Sequence, residues 1–170
     1  MRFGDFLRAT VLLSAGTATL LAAVTVIGLA REDDRTLLVF SAVWWLGAVL
    51  IGIWLGRRAD ASPPIARLLA SARAQITLPE VNPGRTIVNR LWPLLLYAVV
   101  FSVLGVFRPP VTAVAAGGAI IWALAWRRQE RAVLAIEERD GARFYVDRTS
   151  PLQPIRLIRT PGFGGAFLPR

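Results

Sequence analysis

The chain has 170 residues, 55% of them hydrophobic, with 20 basic residues against 11 acidic and a formal charge of +9. That apolar share is high for a soluble domain of this size. Cysteine and histidine are both absent; this excludes disulfides and thiolate chemistry and removes the commonest general base and transition-metal ligand. All 20 basic residues are Arg. A Lys-free set most simply reflects a GC-rich genome, and the functional reading is a preference for bidentate phosphate contacts. So basic a soluble chain would suggest nucleic acid. In a membrane protein the same charge points first to the positive-inside rule and to anionic headgroups.

The apolar residues fall in four blocks. A basic lead, Met1 to Ala9, carries Arg2, Asp5 and Arg8, with Phe3 and Phe6 expected at a membrane interface. Thr10 to Ala30 then holds no charged residue. A run of about 18 residues or more is long enough to cross the hydrocarbon core as a helix. A signal peptide is the alternative, but the run exceeds the usual apolar segment of one. Ser14, Ala18 and Ala22 recur every four residues and share a face that lets another backbone approach closely.

The knot Arg31-Glu32-Asp33-Asp34-Arg35 is short, so the second block, Thr36 to Gly56, must return beside the first. Its Ala48, Gly52 and Gly56 repeat the small-residue spacing and include a GxxxG. Two readings stand for this stripe: packing inside the chain, or a seam between copies. Trp44 and Trp45 lie near mid-helix, deeper than an interface belt; packing and a bound pigment, quinone or lipid are the two readings.

Residues 57–90 form a middle loop. Ser62 as N-cap and Pro63 at the first position open a helix over 63–76, with Ile65, Leu68, Leu69, Ala72 and Ile76 on one stripe. An amphipathic helix of this kind lies in the headgroup plane, or else docks on the tail or on a partner. Pro79 and Asn82-Pro83-Gly84 are expected to end regular structure. Trp92-Pro93 opens the third block, Leu91 to Phe107, with Pro93 in a first turn. Arg108-Pro109-Pro110 is a second tight turn. The fourth block, Val111 to Trp126, has Gly117 and Gly118 as packing positions. It is short enough to need Arg127 or Arg128 to reach headgroups, and a re-entrant hairpin is the alternative for this pair. Interface candidates are Arg57, Arg58, Arg67, Arg73, Trp92, Trp126, Arg127 and Arg128.

In the tail, Asp140-Gly141 is a strong hairpin signal between 132–139 and 142–147. That register faces Ile136 with Tyr145 and Glu138 with Arg143, and Pro154 to Arg159 adds a third strand. The competing reading carries the preceding helix on to Glu138. Two readings stand for the echo of Val26-Ile27-Gly28 in Val103-Leu104-Gly105: an internal duplication, or the easy matches of a restricted apolar alphabet.

Chemistry is sparse. No block contains an ionisable residue, which argues against ion-coupled transport. The hydroxyls Ser14, Thr17, Thr19, Thr25, Ser41, Ser102 and Thr112 and the Tyr97 phenol are expected to bond within or between helices. Glu32-Asp33-Asp34 reads as a solvated turn rather than a cation site. Glu137, Glu138 and Asp140 have no nucleophile or base near them in sequence. Gly162, Gly164 and Gly165 lack the following Lys of a phosphate loop.

The expected fold is an all-α integral membrane protein: four transmembrane helices as two hairpins, an amphipathic interfacial helix in the middle loop, and a small cytoplasmic tail with a β-hairpin. Seventeen Arg fall in the lead, middle loop and tail and three in the tight turns, so both termini are expected on the cytoplasmic side of the plasma membrane. The expected function is non-enzymatic and cofactor-free: an accessory or scaffold subunit that packs on other membrane subunits or on itself. The alternatives are an oligomeric channel or transporter and a membrane-anchored reader of anionic lipid or nucleic acid, with nucleic acid the less favoured ligand.

Overall fold

The computed structural model describes residues 1–32, 34–57, 60–74, 82–147 and 153–161. They form α1 (Phe3–Glu32), α2 (Arg35–Leu55), α3 (Pro63–Ala70), β1 (Arg73–Ala74), α4 (Pro83–Phe107), α5 (Pro109–Trp126), α6 (Gln129–Asp140), β2 (Ala142–Val146) and β3 (Leu157–Pro161). The protein is mostly helical. Among the described residues four helical stretches are long and apolar enough to cross a membrane. Two compact units emerge: a helical one, Thr10–Arg57 with Leu91–Arg127, and a mixed one, Met1–Ala9 with Arg58–Arg90 and Arg128–Arg170.

Local chemistry sets the helix ends. Asp34 caps α2, its Oδ1 accepting from the Leu37 N–H at 2.9 Å. Asn82 does the same for α4, its Oδ1 accepting from the Gly84 N–H at 3.1 Å. The Asn82-Pro83-Gly84 segment therefore starts a helix instead of ending one, because a capping side chain ahead of a proline at the first position favours exactly that role. As a consequence Pro93 lies inside α4, not in its first turn. α5 opens on Pro109 and Pro110; neither has an N–H, so two of the orphan donors of a helix start do not exist.

The helical unit is built around α5. Its buried residues are almost all small: Thr112, Ala113, Ala115, Ala116, Gly117, Ala119 and Ala123. Leu21 of α1 packs on Ala115 and Ala116, with Trp45, Tyr97 and Phe101 around them. Both echo glycines meet the start of α5: a Cβ on Gly28 would lie 3.0 Å from Pro109, and one on Gly105 would overlap Thr112. Both therefore lie against the start of one helix.

In the mixed unit the sheet order is β1-β3-β2, with β1 parallel and β2 antiparallel to β3. The first two residues extend it. Arg2 bridges Tyr145, and the Val146 N–H donates to the Met1 carbonyl at 3.1 Å. Phe3 and Phe6, expected at a membrane interface, are instead buried here, with ring centroids 6.3 Å apart. Val133, Phe144, Val146, Leu157 and Ile158 complete the core.

The tail differs from the predicted hairpin over 132–147. Residues 132–139 belong to α6, whose Ala, Leu and Glu content favours helix. Gly141, at φ 56°, is its left-handed C-cap, the position at which glycine costs least. Tyr145 pairs with Ile158 and Arg143 with Thr160, so the pairs Ile136–Tyr145 and Glu138–Arg143 do not form. The third strand is real but is shifted to Leu157–Pro161. The middle-loop helix predicted over 63–76 stops at Ala70, and β1 follows; Ile76 lies outside the described residues. Ile65 and Leu69 are buried in the protein, so this face is not the free lipid-facing surface of an interfacial helix. Ser62 occupies the N-cap position without a side-chain cap bond. Two prolines follow it, which leaves fewer N–H groups to cap. Its own N–H donates to Gln129 Oε1 at 2.9 Å.

Candidate functional site

The predicted packing stripe of α2 lies against α5. Ala48, Gly52 and Gly56 are all buried. A Cβ on Gly52 would lie 2.7 Å from Leu124 Cβ, and one on Gly56 would overlap the Leu124 carbonyl oxygen. The GxxxG is thus filled by α5 of the same chain, and the reading as a seam between copies loses its surface. Ser14 and Ala18 are buried too, and Ala22 packs beside the Leu21 cluster.

Gly117 and Gly118 do something the sequence did not reveal. Trp44 Nε1 donates to the Val114 carbonyl at 3.2 Å, Trp45 Nε1 to Ala113 at 2.9 Å, and Tyr97 Oη to Ala115 at 2.8 Å. Three aromatic donors from two helices hold three consecutive carbonyls of a third. They fit because the next turn is bare: a Cβ on Gly117 would overlap Trp44 Nε1, and one on Gly118 would lie 3.2 Å from Tyr97 Oη. Of the two readings of Trp44 and Trp45, packing on a neighbouring helix is the one observed. The signal available in the sequence was the pairing of a Gly-Gly with polar-edged aromatics in a charge-free setting; nothing local linked them.

Several interior hydroxyls are turned back on their own helices. Ser14 donates to Thr10 O and Thr25 to Leu21 O, each at 2.8 Å, and Ser41 to Leu37 O at 2.7 Å. The Ser102 and Thr112 hydroxyl oxygens are buried without a partner among the described residues.

The basic and aromatic candidates are distributed as follows. Gly56 meets Leu124, while Gly105 meets Thr112 and Tyr97 meets Gly118; α2 and α5 therefore end together, where α4 runs in from its start. Trp54, Trp92 and Trp122 stand exposed at that end, and Trp126 stacks on Trp122 at 5.5 Å. Arg57 and Arg127 leave from the same end. Arg67 and Arg128 are exposed, Arg73 is exposed in β1, and Arg58 lies outside the described residues. In the mixed unit Arg90 Nη1 donates to the Gln153 carbonyl at 2.6 Å, and Asp147 is near enough to act on it electrostatically.

Among the described residues no three of His, Cys, Asp and Glu gather as a metal site would require. Asp34 is committed to capping α2, and Asp33 lies outside the described residues. No protein-family model, curated protein or solved structure matches the chain.

Proposed function

We propose that the protein is a multi-pass membrane protein that works by contact: a four-helix anchor carrying an arginine-rich folded module, acting as an accessory or scaffold subunit. The observation that carries this reading is the filled interior of the helical unit. Small residues of α5 are covered by residues of α1, α2 and α4, and Ser14, Thr25 and Ser41 donate to the backbones of their own helices. The four apolar blocks also carry no charged side chain, which disfavours ion-coupled transport by a single chain. Its outward residues, among them Leu38, Val43, Leu46, Val99 and Val103, are apolar and exposed, as suits lipid contact. The exposed Trp54, Trp92 and Trp122 suit a headgroup belt. The same end carries the arginines that favour the cytoplasmic leaflet, so both termini are assigned to that side.

The packing stripes are spent inside the chain, so partner contact falls to the mixed unit and the outward helix faces. Purification in mild detergent, with mass measurement of the intact particle, tests this. Other subunits or defined multiples of the chain are expected. A monodisperse single chain with no companion would overturn the scaffold reading. Ion or solute flux in liposomes above background would favour a channel instead.

A further inference from the structure

The sheet of the mixed unit sorts its arginines by face. Residues directly paired in a ladder lie on the same side of the sheet. Arg2 pairs with Tyr145, Tyr145 with Ile158, and Ile158 with Arg73. One row therefore crosses the whole sheet with a guanidinium at each end. Arg143, paired with Thr160, sits two residues along β2 from Tyr145 and so on the same side. Arg159, paired with Phe144 and Ala74, falls on the other side. Arg2, Arg73 and Arg143 are all exposed, and among the described residues none of them is in an ion pair. Among the described residues no acid occupies a strand position on this face.

We propose that this face binds the phosphates of anionic phospholipids. Three exposed guanidinium groups, in no ion pair among the described residues, surround the half-buried Tyr145 and the buried Ile158 and Thr160; such a cluster is suited to bidentate phosphate contacts. Two competing partners fit less well. Single-stranded nucleic acid stacks on exposed aromatic rings, whereas this face has one tyrosine, half-buried, beside the buried Ile158. A peptide adding as a strand needs a free ladder edge. The outer edge of β2 is taken by Met1 and Arg2, and β1 is only two residues long. The proposal rests on the membrane reading, because helices held in a bilayer keep headgroups at high local concentration.

The test uses the full chain in neutral detergent micelles, titrated with short-chain phosphatidylglycerol, short-chain phosphatidylcholine, glycerol phosphate or oligo-dT. Binding is followed by the change in thermal stability and by native mass spectrometry. Phosphatidylglycerol is expected to bind in preference to phosphatidylcholine, with affinity that falls as salt rises. The triple variant Arg2→Gln, Arg73→Gln, Arg143→Gln should weaken that binding by about a hundredfold, taking the usual contribution of each arginine near an anionic surface. The charge-matched triple Arg67→Gln, Arg131→Gln, Arg159→Gln should weaken it far less. Circular dichroism of both triples controls for folding. Equal losses in the two triples, equal binding of the two lipids, or tighter binding of oligo-dT would each overturn the proposal. Glycerol phosphate binding as tightly as phosphatidylglycerol would overturn the lipid as source. Failure of the membrane reading shows separately, as a chain that stays dispersed without detergent.

Discussion

Replacing Gly117 with Ala probes the aromatic clasp on α5 most sharply. The added methyl would overlap Trp44 Nε1 and sit 2.6 Å from Cε2 and 2.9 Å from Cδ1. The ring must withdraw, and its 3.2 Å bond to the Val114 carbonyl then breaks. Overpacking of this kind costs about 1–3 kcal/mol, and an interhelical hydrogen bond in a membrane protein contributes about 0.6 kcal/mol. The sum is a loss of about 2–4 kcal/mol. Reversible unfolding in mixed micelles, followed by tryptophan fluorescence, measures it. Gly47→Ala is the control: nothing lies within 4 Å of its added Cβ, so it should be neutral or slightly stabilising through helix propensity. A cycle with Trp44→Leu isolates the contact, since the cost of Gly117→Ala should shrink by at least about 1 kcal/mol once the indole is gone. Equal costs at Gly117 and Gly47, or no coupling to Trp44, would refute the reasoning.

Other substitutions test other joints. Gly56→Ala should be more damaging than Gly118→Ala in the same unfolding assay, because the first meets the backbone carbonyl of Leu124 and the second only the movable Tyr97 hydroxyl. Gly141→Ala should cost about 1–2 kcal/mol for the left-handed backbone and raise hydrogen exchange at the α6–β2 junction. Glu137→Ala removes the acceptor that holds the Phe144 N–H at 2.9 Å and should cost about 1–3 kcal/mol; Glu137→Gln, which keeps an oxygen there, should recover most of it. Gln129→Ala should loosen the entry to α3 by freeing the Ser62 N–H, visible as faster exchange at that amide.

The four apolar blocks were legible because lipid-length runs without charge have few other solutions. The small-residue stripes were legible as contact surfaces but not as to what they contact: spacing defines a face on one helix, and only the full arrangement shows that α5 receives the α2 stripe. The tail misled for a local reason. Asp-Gly serves equally as a tight hairpin turn and as a helix end with glycine in the left-handed position, and the strand that β2 needs lies beyond a connection too long for short-range pattern to fix. The burial of Phe3, Phe6, Ile65 and Leu69 was hidden because the mixed unit is assembled from three separated stretches of chain. An apolar face with no local partner reads as lipid-facing until its distant partner is known.

Side-specific labelling is the most direct test of the membrane arrangement. The chain has no cysteine, so each introduced one reports alone. Single-cysteine variants at Arg108, Asp60 and Gln153, treated in intact cells with a membrane-impermeant maleimide, should react at Arg108 only. Asp60 and Gln153 should react after permeabilisation. Reaction of all three from one side, or release of the chain by alkaline carbonate, would contradict the account.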